Sequence, residues 1–213
     1  MDHGITAIVP VFNTAPHHLI ESVYSLINQL GCGQFPILIA DDGSTSKETH
    51  GAIILLQELF ETRIEVCSFV ENQGTPAILN YAHEHVKTPF ILLQGSQDIS
   101  HPRRVKMQLD YIKANPKTDI LGTGLFAFKD ADITRKKWFE FVNKVVPELK
   151  DRPDNPYHLV NHGTVIYRKS VVDAVGGYNV AFKRGQDIEL WKRLVAQKAV
   201  FRNLTNILYA WRR

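Results

Sequence analysis

Two stretches carry side chains that could do chemistry. Asp41-Asp42-Gly43-Ser44-Thr45 sets two adjacent carboxylates directly after the apolar run Phe35 to Ala40. A turn with a helix cap accounts for Gly43, Ser44 and Thr45, but a cap needs no pair of acids. A carboxylate at such a strand end can accept hydrogen bonds from a base or a ribose. The second stretch, FILLQGSQDISHPRR (Phe90 to Arg104), stops being apolar at Gln94 and then offers one acid, Asp98, beside Gln97. Several acids there would indicate a divalent metal and a phosphorylated ligand. A lone carboxylate binds Mg²⁺ weakly unless a substrate diphosphate supplies further ligands. Gln97 can still bond a ribose hydroxyl. Asp98 has a second reading, as a charge favouring the N-terminal end of the following helix.

Other chemistries find no support. There is no GxxxxGK phosphate loop. Gly122-Thr123-Gly124 with Ala127 fits GxGxxA, but inside an expected strand with no helix after it. His83-Glu84-His85 lacks the i, i+4 spacing of a helical zinc pair and reads as solvated helix surface. No Ser or Cys sits in a nucleophile elbow.

The elements that must position these groups alternate. Strands are expected at Gly4 to Val11, Phe35 to Ala40, Arg63 to Val70 and Phe90 to Leu93. The first helix is expected to be capped by Thr14, with Pro16 in its first turn and Leu19, Val23, Ile27 and Leu30 as its apolar stripe. Thr45 and Glu48 form a capping box for the second helix. Thr75-Pro76 opens the third and Ser100-His101-Pro102 the fourth, where Arg103 and Arg104 read as a solvated face. Four strands alternating with helices make a doubly wound α/β sheet, with ligand loops gathered at the carboxyl ends of the strands. After residue 118 the reading is a strand over Asp119 to Phe128, a partly helical excursion over Lys129 to Pro156, and a strand over Gly163 to Tyr167. A turn at Gly176-Gly177 follows. A helix over Ile188 to Val195 has Ile188, Trp191 and Val195 on one face, and a short strand covers Ile207 to Trp211. No linker or repeat interrupts the chain, so one domain is expected.

The 213 residues are 44% hydrophobic, enough for a sizeable core, and carry a net charge of +3. That charge does not argue for nucleic acid. Arg135, Lys136 and Lys137 beside Trp138 read as a solvated basic face. Cys32 and Cys67 have no metal spacing and read as buried, reduced thiols, consistent with a cytoplasmic protein. The start MDHGITAIVPVFN has no basic n-region, so no signal peptide is expected. No apolar run approaches the roughly 18–20 residues that span a bilayer.

In their order, the segments resemble a family 2 glycosyltransferase of the GT-A fold. The resemblance is carried by AIVPVFN, IADDGSTS, ENQGTPAILNYA, QGSQDISHPRRVKMQLDYIKANP, HGTVIYRKSVVDAVGGYN and GQDIELWKRL. Each is weak alone; six in order span nearly the whole chain. The resemblance implies a mixed, mostly parallel central sheet flanked by helices, with a Rossmann-like N-terminal half. Residues 1–118 would bind a nucleotide-sugar donor, most plausibly a UDP-sugar, and 119–213 would serve the acceptor and the catalytic base.

By position, Pro10, Phe12 and Asp42 match the base and ribose pocket. Gln97 and Asp98 match the acidic donor loop, with Asp98 left to hold Mg²⁺ or Mn²⁺. Asp187 matches the catalytic base, and His162 a position on the acceptor side. The implied reaction is inverting transfer to a hydroxyl of a glycan or lipid-linked acceptor. The oligomeric state stays open. Relatives often continue past this length into a segment that closes over the acceptor or docks on a membrane. Peripheral association with the inner face of a membrane therefore belongs to the expectation.

The family pattern is departed from twice. Gly95-Ser96-Gln97-Asp98 stands where the family shows D-x-D-D, and Gln186-Asp187 where it shows Glu-Asp. A degenerate domain of the same fold, binding nucleotide or glycan without catalysis, is the rival reading. A sugar nucleotidylyltransferase would need a Gly-rich, Arg-containing loop where Pro10-Val11-Phe12-Asn13 stands. A receiver domain would place its acids after the first and third strands.

Overall fold

A computed structural model describes residues 4–130 and 160–213. The basic run Arg135 to Lys137 and the expected excursion, apart from Lys129 and Asp130, lie outside the described residues. Strands β1 (Ile5–Val11), β2 (Ile37–Asp41), β3 (Ile64–Ser68) and β4 (Phe90–Leu93) are parallel, with β1 between β2 and β4. Helices α1 (Pro16–Ile27), α2 (Lys47–Leu59) and α3 (Thr75–His85) alternate with them. The inner strands β1, β2 and β4 are almost wholly apolar because both faces are covered, whereas the edge strand β3 exposes Glu65 and Ser68. Successive side chains point to opposite faces. Ile5, Ala7 and Val9 meet Leu19 and Val23 of α1 and Leu56 of α2, whereas Ile8 meets Ile78 and Leu79 of α3.

The second half extends the same sheet. Strand β5 (Ile99–Ser100) and helix α4 (Arg104–Ala114) precede β6 (Ile120–Phe128). Strand β7 (Ile166–Arg168) inserts antiparallel between β4 and β6, and β8 (Phe201–Arg212) runs parallel beside β6. The sheet order is β3-β2-β1-β4-β7-β6-β8-β5. Helices α5 (Lys169–Ala174) and α6 (Gln186–Ala196) close the second core with Val172, Leu190, Trp191 and Leu194.

Several local expectations are corrected by distant partners. Ala15, not Thr14, precedes α1, and the Thr14 hydroxyl bonds that of Ser96 at 2.7 Å. Leu30 is exposed beyond the helix end, and Leu26 takes its place in the core. Ser46 caps α2 instead of Thr45, because Asn13 Oδ1 accepts from the Thr45 and Ser46 amides at 2.8 and 2.9 Å. Ser100 does not open α4, since β5 pairs with Tyr209 and Ala210 of β8. The Gly163 strand begins as a 3-10 turn over His162–Thr164, and β8 starts six residues earlier than expected, at Phe201, because it pairs along all of β6. In α6 the buried face is Leu190, Trp191 and Leu194, while Ile188 is exposed.

Two basic side chains read as solvated are buried. The Arg104 guanidinium is fully enclosed and donates to Gln94, Ser100, Gln108 and the carbonyl of Leu93. His83 stacks on Tyr167 and reaches Asp173 through Nδ1 at 3.1 Å. Cys32 and Cys67 are buried and free, as expected.

The end of β8 is tied to the loop after β4 through Asp98. Tyr209 Oη donates to Asp98 Oδ2 at 2.7 Å and accepts from the Gly95 amide at 2.9 Å. The Arg212 amide donates to Asp98 Oδ1 at 2.9 Å, and Arg212 Nε to the Gln97 carbonyl at 2.7 Å.

Both buried contacts generate predictions. Tyr209→Phe leaves a buried carboxylate oxygen and a buried amide without their partner, so urea denaturation should show a loss of about 2–3 kcal/mol. Burial lowers the His83 pKa from 6.5 to about 4. The unfolded chain therefore takes up this proton as pH falls below 6.5, while the folded chain refuses it until about pH 4. Stability should fall as pH drops through that window. Denaturation midpoints measured across it should show a shallower slope for His83→Phe than for wild type.

Candidate functional site

The carboxyl ends of β1, β2 and β4 and the first turns of α1 and α3 surround a cleft of about 340 Å³. Strand ends of a parallel sheet are where open α/β folds bind ligands. Pro10, Phe12, Asp42 and Gln97 converge on the cleft wall, with Asn13 and His18 beside them. Four of the expected donor residues are thus brought together. Phe12 is half exposed, so its ring is available for stacking.

Asp42 is buried, and its carboxylate is already engaged. Oδ1 accepts from the Gln73 amide, and Oδ2 from the Gly74 amide and Asn72 Nδ2, all at 2.9 Å. Burial raises its pKa, against the pull of those two amides. The turn that aims it depends on Gly43, which has φ +68° and whose Cβ would fall 2.4 Å from the Glu71 carbonyl carbon. The neighbouring acid Asp41 accepts from the Ser44 amide at 3.1 Å and so shapes the same turn.

Asp98 is not part of the cleft wall. It is buried behind Gln97 in the Tyr209 and Arg212 tie. Burial raises its pKa, opposed by the Tyr209 hydroxyl, the Arg212 amide and the Arg212 and Arg104 charges. The Arg212 side chain in turn contacts Glu21 and Asp130 and lies over the Phe128 ring.

Asp187 and His162 form a second group. Asp187 sits partly exposed in the first turn of α6, after Gly185 in the left-handed region. His162 Nε2 lies 2.9 Å from the Tyr178 hydroxyl, and its ring packs near Trp191. Burial lowers the His162 pKa, and the Asp187 charge opposes that fall, which places the two groups within each other's field. Gly163, next in the chain, packs on the Tyr209 hydroxyl, where a Cβ would come within 2.6 Å. The His162 turn and the Gln94 to Asp98 loop are therefore both built on Tyr209.

Sequence reasoning missed Tyr209, Arg212 and His18. Nothing in their local context marks them, because their partners come from distant parts of the chain. Among the described residues, His17, His18 and Asp130 also bring potential metal-ligating atoms within 4.8 Å of one another.

Comparison with known proteins agrees with this architecture. The model for "Glycosyl transferase family 2" matches residues 6–176. EpsE of Bacillus subtilis is 24% identical over 96% of this chain and 71% of its own length. The amylovoran biosynthesis glycosyltransferase AmsE of Erwinia amylovora is 21% identical over 95% of this chain and 74% of its own. Among solved structures, S. aureus TarS 1–349 in complex with UDP superposes with a TM-score of 0.75 at 17% identity, covering 100% of this chain and 61% of that one. The mannosyltransferase PcManGT from Pyrobaculum calidifontis, in complex with GDP-Man and Mn²⁺, gives 0.71 at 14% identity, covering 100% and 58%. At such identities the likeness concerns the fold, which is the GT-A fold, and the chain spans about three fifths of those structures. With a family match over most of its length and this sheet order, the chain belongs to glycosyl transferase family 2.

Proposed function

We propose that the domain transfers a sugar from a nucleotide-sugar donor, a UDP-sugar, to a hydroxyl of a glycan or lipid-linked acceptor, with inversion at the anomeric carbon. The observation that carries this reading is the convergence of Pro10, Phe12, Asp42 and Gln97 on one cleft at the strand ends. Phe12 offers a face for the base. The Asp42 carboxylate, fixed by three donors, lies at the wall where a ribose would seat.

Asp187 is the base. It sits partly exposed in the first turn of α6, where an acceptor hydroxyl can reach it. In the reaction the acceptor oxygen bonds to the anomeric carbon from the face opposite the diphosphate. The bond from that carbon to the diphosphate oxygen breaks, the acceptor proton passes to Asp187, and the nucleoside diphosphate leaves. His162 keeps to the acceptor side, where its contact with Tyr178 holds the turn beside Asp187.

The acceptor class is supported by the surface next to the base. Val180, Phe182 and Ile188 are exposed there together with Lys183 and Arg184. Apolar and cationic groups side by side suit an anionic, lipid-linked acceptor at a membrane surface. No helix among the described residues is long and apolar enough to cross a membrane. The expected Mg²⁺ or Mn²⁺ on Asp98 is the one part that the site's chemistry does not favour, since that carboxylate is enclosed by its own fold. No step of the reaction is routed through it.

The test is release of UDP from UDP-sugars in the presence of glycan and polyprenyl-phosphate acceptors. Asp187→Asn should lower turnover about 10²- to 10⁴-fold, the range for loss of a general base. UDP affinity by calorimetry should stay unchanged. Nucleotide binding without turnover for any donor would instead identify a non-catalytic domain.

A further inference from the structure

The donor loop turns its one carboxylate, Asp98, into the fold. This inference rests on the nucleotide-sugar reading above. Gly95 has no room for a side chain: a Cβ there would lie 2.1 Å from Asp98 Oδ2 and 3.1 Å from Tyr209 Oη. The ground beside position 95 is filled by the Asp98 carboxylate, and an acid at 95 would have to break the Asp98 to Tyr209 bond. Position 97 presents an exposed amide, and its carbonyl is taken by Arg212. Asp98 itself is buried, and each oxygen accepts a bond from within the fold. The positive charges of Arg212 and Arg104 act on it as well. Asp42, the one acid among the described residues lining the cleft, likewise has both oxygens hydrogen-bonded within the fold.

Such a donor set does not fit Mg²⁺ or Mn²⁺. A bound Mg²⁺ needs one or two carboxylates able to face it alongside the phosphates, in octahedral geometry at about 2.0–2.1 Å. One reason for an ion, the repulsion between donor-loop acids and phosphate, disappears with those acids. Each free carboxylate 4 Å from a phosphate charge would repel it by about 4 kcal/mol at an effective dielectric of 20. A divalent ion turns that repulsion into a bridge. Here Gly95 and Gln97 remove the repulsion at its source. On the side of the donor loop the cleft is lined by the Gln97 amide, the Ser96 and Thr14 hydroxyls and Asn13, with no carboxylate among them. The first turn of α1 also opens on the cleft, and its N-cap Ala15 brings no side-chain acceptor to it.

We propose that this domain binds the diphosphate of its donor without a divalent cation, the Asp98 carboxylate serving as the tie between β8 and the donor loop and not as a metal ligand. Calorimetric titration of the full chain with UDP and with GDP, in EDTA and in excess Mn²⁺, tests this. The expected result is one nucleotide whose Kd agrees between the two conditions within about threefold, well under the tenfold that marks a 1.4 kcal/mol effect. Asp98→Asn should lower the melting temperature by the same amount in EDTA and in Mn²⁺. Binding that requires Mn²⁺ and is lost in Asp98→Asn would make Asp98 a ligand and overturn the inference, while the nucleotide reading stands. Binding that requires Mn²⁺, survives Asp98→Asn and is lost in His18→Ala would overturn it too, by placing the ion on His18 and Asp130. If neither nucleotide binds in either condition, the nucleotide-sugar reading fails and the inference with it.

Discussion

The Asp98 carboxylate ties the loop after β4 to the last strand of the sheet. A buried carboxylate is costly unless its oxygens are bonded, and among the described residues these two accept from groups of β8. The partners lie 111 and 114 residues away in sequence. Once they are engaged, the last strand has a fixed register beside β6 and β5, and the loop after β4 has a fixed shape. The cleft wall at Ser96 and Gln97 inherits that shape, and so does the His162 turn, through Gly163 against Tyr209. The Gln94 to Asp98 loop and the His162 turn are therefore positioned by the same hydroxyl.

This dependence explains what the sequence could and could not reveal. The first four strands and three helices follow from short-range pattern, because burial on both faces writes itself as continuous apolar runs and amphipathic stripes. The family resemblance then brings Pro10, Phe12, Asp42 and Gln97 to one place, and the cleft has them there. Local readings fail where a distant group competes for a backbone or side chain. Asn13 takes the amides of Thr45 and Ser46 and delays α2. β8 recruits Ile99 and Ser100 and delays α4. Arg104 looks like helix surface because nothing nearby in sequence says that Gln94, Ser100 and Gln108 will enclose it.

The two candidate centres differ in how their acids are treated. Asp42 and Asp98 are buried with both oxygens hydrogen-bonded inside the fold, and they hold the Gln73-Gly74 amides and β8 in place. Asp187 is partly exposed in the first turn of a helix, and no hydrogen bond within the described residues occupies its carboxylate in the way that Asp42 and Asp98 are occupied. A base has to present a free lone pair to the acceptor hydroxyl, and a saturated carboxylate cannot. Among the three acids at expected site positions, Asp187 alone has that freedom. The division of labour follows from hydrogen-bond occupancy before any pKa is considered.

The same occupancy argument bears on the two replaced acids. Substituting Gly95 and Gln97 for carboxylates is a loss only if an ion is to be held there. Without the ion, free carboxylates would oppose the diphosphate, so an amide and a glycine are the more favourable lining. The glycine is then required twice over, because the Asp98 Oδ2 occupies the space a side chain would need. An acid returned to position 95 alone would displace the tie before it could bind anything. The glycine, the Gln97 carbonyl, the buried acid, Tyr209 and Arg212 thus form one connected set of contacts, and a change at position 95 acts on all of them.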